Sequence, residues 1–148
     1  MKYLQSLALI AIMIAAVSVS VSAQACSDLT IGGTQTGGGD VTFNVTGASM
    51  FSPVFLLGSA TAGPTDIGGV ITLGIESPLI PFWTMFTDMT GTANSTITLP
   101  PMLPPNLVGF DIYVQALSLD FAGTTATPSG NSLPFGICLS DVESFQLN

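Results

Sequence analysis

Beyond Lys2 the chain has no lysine, arginine or histidine; one basic residue stands against nine acidic ones, for a formal net charge of −8. All the acidic side chains lie at Asp28 or later. Without imidazole there is no ordinary proton shuttle or histidine metal ligand, and without ammonium or guanidinium nothing grips a phosphate. Nucleic acid is excluded as a partner on the same ground, because its binding depends on basic groups displacing counterions. Ser/His and Cys/His triads lack their base, zinc hydrolysis lacks its ligands, and Asp-Thr-Gly and Asp-Ser-Gly do not occur. A glycosidase built on two carboxylates survives elimination, with Glu76 and Glu143 as the only glutamates, but nothing in the sequence makes them converge. The expectation is therefore a protein that is not an enzyme and uses no cofactor. Trypsin would find no site after Lys2.

Lys2 itself belongs to a stretch with the three-part pattern of a secretory signal. Met1-Lys2-Tyr3 is a short positive start, Leu7 to Val17 is continuously apolar, and small residues follow. Cleavage after Ala23 (Val-Ser-Ala) or Ala25 (Ala-Gln-Ala) fits. The apolar run is shorter than the roughly 20 residues a spanning helix needs, so the mature form is expected to have no membrane span. This reading divides the chain into a signal peptide over 1–23 and one domain over 24–148, about the usual domain size. It places the protein outside the cell or in the cell envelope, of bacterial type.

An oxidising compartment gives the two cysteines, Cys26 and Cys138, their simplest reading as one disulfide. The rival is lipidation of Cys26 directly after Ala-Gln-Ala, although Ala23 stands where bacterial lipoprotein signals usually carry leucine. Charged residues are only 7% of the chain while apolar ones are 47%, so it should fold, with a surface made of Thr, Ser, Asn, Gln and Gly. With no cations to pair with, acids beside turn formers, such as Asp40, Asp66 and Asp141, are expected to accept backbone N–H bonds.

Strand-like segments recur at Leu29–Gly32, Val41–Thr46, Val54–Ser59, Val70–Ile75, Phe82–Thr87, Ser95–Leu99, Phe110–Leu119, Phe135–Leu139 and Ser144–Leu147. Val41, Phe43 and Val45 fall on one face by strict alternation, and no helical period appears past the leader. This pattern predicts an all-β fold, an antiparallel two-sheet β-sandwich of immunoglobulin-like or jelly-roll-like type. Val54-Phe55-Leu56-Leu57 and Phe82-Trp83-Thr84-Met85-Phe86 are apolar on both faces, as strands covered from two sides or by a partner would be. The proline-rich run from Pro100 to Pro105 reads as a stiff crossover; its PxxP pattern is only weakly specific for an adaptor domain.

Phe82, Trp83 and Phe86 are the candidates for ligand or partner contact. A tryptophan among phenylalanines is usually core, but an exposed one stacks on sugars. Asp88 and Asn94 bracket a loop with oxygens at alternate positions, a weak calcium candidate because it has only one carboxylate. Asn44-Val45-Thr46 and Asn94-Ser95-Thr96 match the glycosylation sequon. Gly37-Gly38-Gly39 lacks the Lys-Ser/Thr of a P-loop and is a turn. The function these readings support is structural, adhesive or self-assembling, through self-association or a cell-surface polymer. The alternative is a carbohydrate- or calcium-binding module.

From Leu107 the sequence runs Leu-Val-Gly-Phe-Asp-Ile-Tyr-Val-Gln-Ala-Leu-Ser-Leu-Asp, and after a loop continues Gly136-Ile137-Cys138-Leu139-Ser140-Asp141. This resembles the closing segment of small secreted bacterial β-sandwich domains common in planctomycetes and myxobacteria. The match covers about a third of the mature chain, centred on Tyr113 to Leu117, and departs at Asp141, where asparagine is usual. The resemblance implies an exported β-sandwich and carries no catalytic residues.

Overall fold

The structure, a computed structural model, describes residues 25–123, 125–126, 130 and 132–148. The expected leader lies outside them. The described chain is all-β with no helix, so it has no helix long and apolar enough to cross a membrane. The strands in order are β1 (Ala25–Gly33), β2 (Asp40–Thr46), β3 (Pro53–Ser59), β4 (Ala62–Ile67), β5 (Ile71–Ile75) and β6 (Ile80–Phe86). They continue as β7 (Ala93–Thr98), β8 (Asp111–Asp120), β9 (Thr125–Ala126), β10 (Ser132–Leu133), β11 (Gly136–Ser140) and β12 (Glu143–Gln146). Each expected strand segment overlaps an observed strand. β4 and the short β9–β10 pair were not expected.

Eight strands form one sheet in the order β6-β3-β8-β11-β1-β2-β7, with β12 also paired to β8; β4–β5 and β9–β10 are separate two-stranded sheets. The expected antiparallel pairing holds with one exception: the start of β1 runs parallel to β11. β1 serves two neighbours in succession. Ala25 and Ser27 face β11, with Cys26 at the irregularity between them, and Asp28 to Gly33 then pair with β2. The Cys26–Cys138 disulfide spans this changeover, with Cα atoms 5.5 Å apart, inside the usual range for a bridge.

Alternation decides which side chains are buried. Val41, Phe43 and Val45 of β2 share one apolar cluster with Val54 and Leu56 of β3, Val114 and Ala116 of β8, and Phe145 of β12. Both ends of the eight-stranded sheet therefore supply the same core, so the sheet folds over onto itself. Phe43 sits at the centre, edge-to-face with Phe82 at 5.4 Å and with Phe145 at 6.0 Å between ring centroids. A second cluster forms on the opposite face of β3 and β8. Ile71, Leu73 and Ile75 of β5 pack there against Leu57, Leu117 and Leu139. β3 is apolar on both faces because both are covered.

The buried Gln115 of β8 locks this second layer in place. Its side-chain oxygen accepts a bond from Gly74 N–H at 2.9 Å, and its side-chain nitrogen donates to the Ser140 carbonyl at 2.8 Å. Gly74 has no room for a side chain, since a Cβ would lie 2.5 Å from Val142 Cγ2. β6 is an end strand and behaves differently. Leu56 pairs with Trp83 and Leu57 with Pro81, which leaves Phe82 as an extra, bulged residue. A bulge breaks strict alternation. Phe82 and Met85 turn toward the core, while Trp83 is 46% exposed and Phe86 69%.

Candidate functional site

The end of the molecule where β3 begins and β6 and β8 finish carries three turns, and each holds a large apolar side chain out in solvent. The first, residues 48–52, presents Met50 and Phe51; the second, 88–92, presents Met89; the third, 120–123, presents Phe121. Phe86 stands beside them as the residue opposite Pro53.

Polar side chains hold each turn. Thr87 Oγ1 accepts from Ser52 N–H at 2.8 Å and donates to the Ser49 carbonyl at 2.5 Å, joining the first turn to the second. Gly91 meets Ala48 so closely that a Cβ would fall 2.1 Å from the Ala48 carbonyl oxygen. Its φ of 75° also suits only glycine well. In the third turn Asp120 Oδ1 accepts from Ala122 N–H at 3.0 Å. Met50 and Phe121 line the same shallow depression, so the first and third turns are neighbours.

Phe51 is the unusual residue of this end. Its φ is 54°, in the left-handed region that a bulky L-residue avoids at a cost of about 1–2 kcal/mol. Its N–H donates to the Asp88 carbonyl while its ring is left exposed. Backbone strain held in place by its surroundings clusters at functional positions.

Asp88 Oδ1 accepts from Thr90 Oγ1 at 2.6 Å, Thr90 N–H at 2.7 Å and Thr92 N–H at 3.1 Å. The Thr90 hydroxyl bond, then the backbone bonds from Thr92 and Thr90, hold this carboxyl below its ordinary 3.8, with slight desolvation opposing them. A carboxyl depressed in the folded state stabilises fully above its unfolded pKa and loses that contribution as pH falls through the folded one. An NMR titration should therefore show Asp88 protonating below pH 3.8, with the turn amides of Thr90 and Thr92 shifting at the same midpoint. Asp88→Asn should remove that coupled transition.

The calcium candidates do not form a cage. The inward oxygen of Asp88 is already committed to the turn, and Asn94 stands on β7 opposite Asn44 of β2. No group of three His, Cys, Asp or Glu residues suited to a metal occurs among the described residues. The two sequon asparagines are thus cross-strand partners, Asn94 exposed and Asn44 half-buried. Glu76 is exposed beyond the end of β5, and Glu143 is exposed on β12 opposite Val114. Trp83 lies along the exposed edge with Pro81 and Thr84, in a shallow depression.

The turn-tip residues Met50, Phe51, Met89 and Phe121 were not singled out by sequence. A usable signal does exist: each follows a turn-forming Ser or Asp directly or by one step, in Ser49-Met50-Phe51-Ser52, Asp88-Met89-Thr90-Gly91 and Asp120-Phe121-Ala122-Gly123. Apolar residues in such turns gain nothing from the core. Comparison with protein-family models, with curated proteins and with solved structures finds no match to this chain.

Proposed function

We propose that the chain is a secreted, non-catalytic, two-sheet antiparallel β-sandwich domain of the bacterial cell surface or exterior, acting as a structural, adhesive or self-assembling subunit. The observation that carries this reading is the cluster of exposed apolar side chains on the three stitched turns. Met50, Phe51, Phe86, Met89 and Phe121 are each more than half exposed. Together they offer on the order of 500 Å² of apolar surface, the size at which patches mark interaction sites. Two such patches face to face would bury about 1,000 Å², the lower limit for a specific interface. Association should then be weak for a pair and strong for an array. The scarcity of charge, the missing basic groups and the resemblance of the C-terminal third to exported bacterial domains support the same reading.

Phe51→Gly separates association from stability. Glycine relieves the left-handed backbone, so the variant should be no less stable than the parent in guanidinium, yet it should associate more weakly. Phe86→Ser should weaken association too. Sedimentation of residues 24–148 across a hundred-fold concentration range reads this. A strict monomer at every concentration, with no adsorption to cell-surface polymer, would end the proposal.

The half-exposed Trp83 supports a second reading, a carbohydrate-binding module that stacks a sugar ring on that indole. A glycan array with Trp83→Ala as control decides it; signal shared by both proteins, or no signal, dismisses the stacking role. The calcium branch of this alternative draws no support from the Asp88 turn and would have to appear as a thermal shift on adding the ion.

A further inference from the structure

The opposite ends of β3, β6 and β8 border an apolar cavity of about 420 Å³, open on one side, between the two ends of the folded-over sheet. Its walls include Val41 and Phe43 of β2, Ile80 of β6, Ile97 of β7, Phe110 before β8 and Leu147 after β12. Ser59 is the only hydroxyl among the described lining residues, and it is already occupied. It donates to the Glu76 carbonyl at 2.6 Å and accepts from Thr61 N–H at 3.2 Å. Exposed Ile80, Phe110 and Ala60 mark the mouth.

Three classes of occupant are disfavoured on chemical grounds. A sugar would leave its hydroxyls unpaired against walls with no free polar group, at the full desolvation penalty. An anionic headgroup would find no basic side chain after Lys2 and would be repelled by nine carboxylates. A strand from a second copy would need a long continuous ladder, and of the two bordering strands β6 is interrupted and β7 is only six residues long. β6 carries Pro81 and the Phe82 bulge, and β7 runs within two residues into Pro100-Pro101. Prolines and bulges are the devices that block edge pairing.

We infer that the cavity is a binding site for one uncharged aliphatic or terpenoid molecule, such as a long-chain alcohol, aldehyde, ester or hydrocarbon. The volume suits it. A dry cavity of about 150 Å³ lined by Leu, Ile and Phe accepts benzene, so this one has room for roughly fifteen carbons on the same scale. Ligand pockets of about 300–1,000 Å³ with mostly apolar walls are the usual kind for small molecules. The polar end of an alcohol or ester would project past Ala60 into water. The site lies at the far end of β3, β6 and β8 from the turn-tip patch, so it is independent of the association proposed above.

The test uses oxidised protein of residues 24–148 and the neutral fluorophore N-phenyl-1-naphthylamine. Saturable binding of one probe per chain is expected. 1-Tetradecanol should displace it at least tenfold more effectively than tetradecanoate at pH 8. Ala60→Trp, at the exposed mouth, and Ile97→Trp, in the wall, should each weaken probe binding tenfold or more with an unchanged circular dichroism spectrum. Phe86→Ser, at the other end, should leave it unchanged even where it reduces association. No saturable binding by the parent protein would overturn the inference. So would undiminished binding by both tryptophan variants, equal displacement by alcohol and carboxylate, or probe exclusion by a dimer seated on the mouth.

Discussion

Phe43→Ala should cost about 3–5 kcal/mol of stability, the range for removing a fully buried aromatic ring. Phe43 is only 1% exposed, and its ring stands edge-to-face with Phe82 and Phe145, so the substitution breaks contacts with two other strands of the main core, β6 and β12. Edge-to-face pairs add about 0.5–1.5 kcal/mol each beyond area burial. The ring also lines the apolar cavity, so its removal would enlarge that space. Guanidinium unfolding followed by Trp83 fluorescence measures it. Phe86→Ala is the matched control: with its ring 69% exposed it should stay within about 0.5 kcal/mol. Equal effects from the two variants would refute the placement of the core.

Removing the disulfide should be comparably severe. Cys26 and Cys138 are 112 residues apart, and the chain-entropy model assigns about 4–5 kcal/mol to closing a loop of that length. The bond acts on the unfolded ensemble and, in the native state, holds β1 where it passes from β11 to β2. A domain of this size has about 5–15 kcal/mol in total, so the Cys26→Ser/Cys138→Ser variant should be folded but marginal. Its guanidinium midpoint should fall by a third or more, and dithiothreitol should reproduce the fall in the parent but not in the variant. An unmoved midpoint would mean that the unfolded chain is restrained by other means.

How much of this was legible in the sequence differs from element to element. β2 was fully legible, because Val41, Phe43 and Val45 alternate with polar residues and a half-buried strand leaves that trace. β8 was legible as a strand, and period-two alternation explains why Val114 and Ala116 enter one cluster and Leu117 the other. β4 was missed because Gly63-Pro64 reads as a turn. Proline is tolerated there because β4 is the outer strand of a two-stranded hairpin, with its other edge unpaired. In β6 the composition signalled two apolar faces, but the bulge at Phe82 decided which ring enters the core and which stays in water. A bulge depends on the partner strand and leaves no period of its own.

The candidate sites divide in the same way. That two cysteines would pair followed from their number and their expected compartment; that they would brace the changeover of β1 between neighbours did not. Of the acids expected to accept backbone N–H bonds, Asp66 does so in its turn, Asp40 instead accepts from the Thr98 hydroxyl across two strands, and at Asp141 it is the backbone carbonyl that accepts, from the Ser140 hydroxyl; Asp120, not named from sequence, holds its turn as Asp66 does. The cavity had no sequence signature, since its lining comes from β2, β3, β6, β7 and the flanks of β8 and β12.

By itself the amino-acid sequence determined the chemistry that is missing and the side of each strand that prefers oil to water, because both are properties of single residues or of close neighbours along the chain. Tertiary structure alone decided which of those apolar sides would be covered. β5 shields the back of β3 and β8, whereas among the described residues nothing shields Met50, Phe51, Met89 or Phe121, and covering is a relation between segments far apart in sequence.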